Sequence, residues 1–115
     1  MTRRPARGAV LARGGLFLGH APARELRVAD GRVVGLVAER QEPRAQVEIA
    51  SRAVVLADGG FAANHTLLRD YARVPQPERL VLRGAGSGVG AGIQMALALG
   101  ADFASPEALF GHLLH

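Results

Sequence analysis

The sequence holds no cysteine and no lysine. The first absence excludes disulfides and thiolate metal sites and fits a reducing, cytoplasmic setting. The second makes every basic residue an arginine, 14 against 10 acids, for a formal charge of +4. These arginines are scattered rather than striped, and a nucleic-acid surface needs clustered positive charge, so no nucleic-acid partner is expected. No stretch is long and apolar enough to span a bilayer, and Arg13 interrupts the one apolar stretch near the start that could serve as a signal segment. No acid precedes Glu25, which leaves Arg3, Arg4, Arg7 and Arg13 as the one basic cluster. It reads as a frayed terminus rather than a transit peptide. No internal repeat is present.

What is there is apolar: 49% of the 115 residues are hydrophobic, enough for one globular domain with a modest core. The chain is organised around residues 51–61. Ala53, Val54, Val55, Leu56 and Ala57 form an unbroken apolar run of the kind a strand buried on both faces shows, and Asp58-Gly59-Gly60 ends it abruptly. Two glycines after a buried strand allow positive φ and a close approach to the backbone. In an α/β sheet, that end of a strand is where ligands bind.

Upstream, weak helical character over residues 6–12 ends at Gly14-Gly15, and Leu16-Phe17-Leu18 reads as a short strand broken near Pro22. Residues 24–29 alternate, Asp30-Gly31 is a strong hairpin signal, and residues 33–39 form a second strand. A looser turn around Pro43 leads into residues 46–50. The expectation is a three-stranded antiparallel meander over about 24–50.

Downstream the period changes. Asn64 is a good N-cap for a helix over residues 65–72, with Leu67, Leu68 and Tyr71 at helical spacing, ended by Pro75 and Pro77. Leu80-Val81-Leu82 is brief and strand-like. A glycine-rich loop from Gly84 to Gly92 precedes an apolar helix over residues 93–99, which Gly100 closes. Ser105-Pro106-Glu107 opens a last short helix.

Gly86, Gly88 and Ala91 fit G-x-G-x-x-A, the pattern of a nicotinamide or flavin pyrophosphate loop, with Glu107 as a candidate ribose acid. Glu107 follows Pro106 at a helix start, however, not the end of a second strand. The lone motif then reads rather as a flexible turn ahead of a helix, whose free N–H groups still favour an anion. His112 and His115 have ligand-like spacing but no third ligand, so no metal site is expected. No Ser, Thr or carboxylate has a partner for nucleophilic or acid–base chemistry, and no catalytic residue is assigned.

Taken in order, four stretches resemble one family: Asp30-Gly31-Arg32-Val33-Val34-Gly35-Leu36; residues 53–61; Asn64 with Leu67 and Tyr71; and Ser87-Gly88-Val89-Gly90 running through Met95-Ala96 to Gly100-Ala101. Together they look like the FAD-binding domain of the fumarate reductase/succinate dehydrogenase flavoprotein superfamily, which includes the 3-ketosteroid dehydrogenases. The resemblance implies an α/β, partial Rossmann-like FAD-binding domain carrying the meander, a central strand and cleft loop at 51–61, a helix, Gly-rich loop and second helix over 64–101, and the start of a cap segment at 102–115. It implies FAD as cofactor, with Ala23 near the adenine, Ala57, Asp58, Gly59 and Gly60 lining the dinucleotide cleft, and Gly88, Val89 and Gly90 toward the flavin. Asp58 stands where the family has Thr and would repel a diphosphate unless screened; Val89 replaces an Asp. The family's GxGxxG unit and catalytic cap are not in this stretch, which therefore reads as an internal piece of a flavoprotein oxidoreductase, not catalytic alone and expected to bind FAD weakly or not at all by itself. Two alternatives stay open: a non-catalytic module completed by a companion chain, and an NAD(P)-binding domain built on the Gly86 loop.

Overall fold

A computed structural model describes residues 6–84 and 86–108. The best-formed part is the meander: β1 (Ala23–Ala29), β2 (Arg32–Gln41) and β3 (Arg44–Ala50), antiparallel in the order β1-β2-β3. Asp30 and Gly31 both take positive φ, 49° and 73°, as a two-residue hairpin of this hand requires. The second turn is tighter than the sequence suggests, because Gln41 pairs with Arg44 and leaves only Glu42-Pro43 between the strands.

Two irregularities interrupt the first ladder. Ala23 pairs with Ala38 but Glu25 with Val37, so Arg24 is an extra residue on β1. Arg27 pairs with Gly35 but Val28 with Val33, which makes Val34 extra on β2. Such bulges bend a strand and re-aim the side chains beside them. Gly35 has no room for a side chain, since a Cβ there would collide with the Ile49 carbonyl of β3. Arg27 on β1, opposite Gly35, reaches diagonally over β2 to donate to Glu48 on β3, opposite Val37, at 2.5 Å. That bond, before the charges of Glu48 and Glu25, raises the pKa of Arg27.

The helices are short. After α1 (Ala6–Ala12) come α2 (His65–Asp70), a 3-10 turn (Pro77–Arg79) and α3 (Ala91–Leu97). Asn64 caps α2 as expected, its side-chain oxygen accepting from the Leu67 N–H at 3.0 Å. Past α3, Gly100 takes φ 82°, its N–H donates to Leu97 and that of Ala101 to Ala96. This is the double closure that a left-handed glycine permits at a helix end. Among the described residues the buried side chains fall into two small groups, Val37 and Ala38 on the meander, and Leu67, Leu68, Ala72 and Pro77 around α2. The helix α3 packs against β1.

Four expectations need correction. Residues 53–57 form no strand: they make no hydrogen bond among the described residues, and Val55 is 87% exposed. An apolar run becomes a strand only when another strand satisfies its backbone, and among the described residues the meander strands pair only with one another. Residues 16–18 and 80–82 are likewise outside any sheet, with Leu16 96% and Val81 80% exposed. Ser105 begins a turn closed by the Ala108 N–H at 3.0 Å, and the remainder of the expected last helix, with His112 and His115, lies outside the described residues. So do Arg3 and Arg4. The open runs agree with a radius of gyration of 16.9 Å, against about 13 Å for a compact chain of this size. Among the described residues no helix is long and apolar enough to cross a membrane.

Candidate functional site: two glycine loops joined by backbone and Asp58

The two glycine-containing segments singled out above meet. The Gly90 N–H donates to the Gly60 carbonyl at 3.1 Å, and the Ala63 N–H donates to the Gly88 carbonyl at 2.9 Å. Asn64 adds a side-chain tie. While its oxygen caps α2, its Nδ2 donates to the Val89 carbonyl at 2.9 Å, so one residue holds a helix start and the second loop together.

The closeness of the loops depends on missing side chains. A Cβ at Gly90, where φ is 72°, would sit 2.6 Å from Leu67 Cδ1 and 2.8 Å from Phe61 Cβ. Real carbon atoms do not approach so closely, so this glycine seals the loop onto the α2 core. Phe61 is itself held by Phe103, edge-on at 5.6 Å between centroids, and Phe103 also meets Tyr71 at 5.4 Å. The segment after α3 thereby folds back over the cluster.

Asp58 does something its sequence context did not suggest. Its Oδ2 accepts from the Gly92 N–H at 2.8 Å, and both carboxylate oxygens lie against Gly92. Gly90 occupies the N-cap position of α3 and has no side chain to cap with. Asp58 supplies the acceptor from 34 residues away, and a carboxylate at a helix start is also favoured by the helix dipole. The charge expected to repel a diphosphate is thus engaged with the protein's own amide. The same contact places a carboxylate at the start of the helix that follows the G-x-G-x-x-A motif.

Gly59 and Gly60 differ from Gly90. At both, a Cβ would meet nothing within 4 Å, and Gly59 takes φ 93°. Among the described residues the N–H groups of Gly59 and Gly60 make no hydrogen bond. Ala57 is exposed beside them. Ala23 is not part of this cluster: it opens β1 opposite Ala38, and the link from strand to loops is α3. Sequence reasoning missed Gly92, the second bond of Asn64, and Phe103. A capless glycine at a helix start was the one available sign that an acceptor must come from elsewhere. Among the described residues no three His, Asp or Glu side chains gather as metal ligands.

A family model described as an FAD binding domain matches residues 5–114. The chain belongs to that FAD binding domain family. The family implies FAD as the cofactor and an FAD-dependent oxidoreductase as the functional class. The three-stranded antiparallel sheet with short helices is consistent with part of such an α/β domain. The residues of the FAD binding domain fit that cofactor on one side of the site. Gly59 and Gly60 offer a bare backbone with unbonded donors, as a flavin nucleotide brought against the chain requires, and the nearest carboxylate is already engaged.

Proposed function

We propose that this chain forms one wall of an FAD cleft in an oxidoreductase of the fumarate reductase or 3-ketosteroid dehydrogenase type. The observation that carries the reading is the joined pair of glycine loops, with Gly59 and Gly60 open at their rim and their N–H groups making no hydrogen bond among the described residues. FAD, when bound, supplies an acceptor or donor for a hydride exchanged with a C–C bond next to a carbonyl or carboxylate. The chain's own residues bind and orient. The amides of Gly59 and Gly60 donate to the nucleotide, Ala57 leaves space beside them, and Ala23 contributes backbone toward the adenine. Gly88, Val89 and Gly90 hold the loop on the flavin side, and Asp58 keeps α3 in register with the rim. No residue is assigned a proton-transfer role.

Titrating the protein with FAD while following flavin fluorescence tests this. Weak but saturable quenching is expected, with slower hydrogen exchange at Gly59 and Gly60 and loss of both effects in Gly59→Val. Exchange at these amides that is indifferent to FAD would remove the reading.

A second reading is that a companion chain completes the site. It is favoured by the exposure of Leu16, Val55 and Val81, three apolar residues on segments without sheet partners. Such open apolar segments invite association. Poor solubility of the isolated chain is expected, and a sharp cooperative melt of a stable monomer would count against it.

A further inference from the structure

The bulge at Arg24 serves a second cluster, on the meander. With no ladder partner of its own, Arg24 turns its Nε to donate to Glu39 Oε2 at 3.0 Å. Arg44, just past the second turn, donates its Nε to Glu39 Oε1 at 2.9 Å. Both oxygens of Glu39 are thereby engaged, and its side chain is 26% exposed. Arg44, then Arg24, hold the Glu39 carboxyl below its ordinary pKa.

Because each arginine uses its Nε on Glu39, the terminal nitrogens of both guanidinium groups make no bond among the described residues. With Gln41 and Glu39 they line an open concavity of about 370 Å³. Two positive charges against one negative leave the cluster positive by one.

We propose that this concavity binds a phosphate-type oxyanion, gripped by the free ends of Arg24 and Arg44 and the Gln41 amide. Guanidinium forks suit planar pairs of oxygen atoms, and holding the arginines in place beforehand removes much of the ordering cost of binding. Glu39 is the positioning residue: it orients both forks while opposing the ligand's charge. The site is independent of the FAD reading, since it uses none of the glycine-loop residues.

The test is a titration of the whole chain, labelled with nitrogen-15, following the Arg24 and Arg44 Nε–H and Gln41 side-chain signals. Inorganic phosphate is one arm, adenosine monophosphate a second, and chloride at matched ionic strength the control. Saturable shifts with phosphate and not chloride are expected, weakened at least tenfold in Arg24→Gln and in Arg44→Gln. Tighter binding of the nucleotide identifies a phosphate carried on a ligand, and equal binding a free anion. Glu39→Gln separates an organised site from mere accumulated charge. It adds one positive charge, so it would tighten a purely electrostatic site, whereas loss of orientation weakens the proposed one. Shifts no larger than those with chloride, shifts that persist in Arg24→Gln, or tighter binding in Glu39→Gln would each overturn the proposal.

Discussion

Residues 23–50 and residues 51–60 are both rich in small and β-branched apolar side chains, yet only the first stretch is a sheet. The meander carries its own instructions. Turn residues sit between its strands, each strand pairs with the next in sequence, and every partner is within a few residues of the turn. The run at 53–57 has stronger apolar character and no such neighbour. A strand needs a second backbone, and no local pattern can supply one that must come from far away. What 51–60 does have is a fixed end. Asp58 and Gly60 are tied to Gly92 and Gly90, so the rim is placed even though the run leading to it is open.

Several substitutions would break or sharpen that contrast. The largest effect is expected at Leu68, 1% exposed in the α2 core: Leu68→Ala should cost about 2–5 kcal/mol in chemical denaturation. Gly90→Ala comes next, at about 2–4 kcal/mol, from a left-handed φ plus the collision with Leu67 and Phe61. Gly59→Ala, with positive φ but open space, should lose only the backbone part, about 1–2 kcal/mol. A Gly59 loss as large as that at Gly90 would mean the rim is not open.

Asp58→Ala should cost about 1 kcal/mol and expose the Gly92 amide to faster exchange, with Asp58→Asn retaining most of both. Val55→Ser should change stability by less than about 0.5 kcal/mol, because an 87% exposed side chain loses little on becoming polar. A much larger loss there would show that the run is covered in solution.

The smallest effect concerns pH. Glu39 has a folded pKa held below its ordinary value of 4.5 by Arg44 and Arg24. Its contribution to stability is therefore complete above that value and lost as pH falls through the depressed folded pKa. The melting-temperature gap between the native chain and Glu39→Gln should shrink on going from neutral pH to about pH 3. A gap that widens in acid would contradict the bridged geometry.

Much of this was legible where cause and effect lie close along the chain. Asp30-Gly31 announced its hairpin, Asn64 its helix, and Gly100 its helix end. The Glu42-Pro43 turn was read too loosely, since proline signals a turn without setting its length. The glycine pairs were visible as places where a backbone could come near something, but not what that something was. For Gly90 it is Phe61 and Leu67, an internal contact that no spacing rule encodes. Asp58 shows the same limit, because an acid beside a suspected nucleotide site reads as a conflict until its distant amide partner is known.

The ties at Gly60 and Gly90 turn the intervening chain into a closed handle whose two ends are fastened side by side. Lengthening a fastened handle is cheap, about 0.6 kcal/mol for a doubling of a flexible loop. The neighbourhood of Pro75 and Gln76, between α2 and the 3-10 turn, is therefore a place where residues could be added or exchanged while the glycine rim keeps its shape.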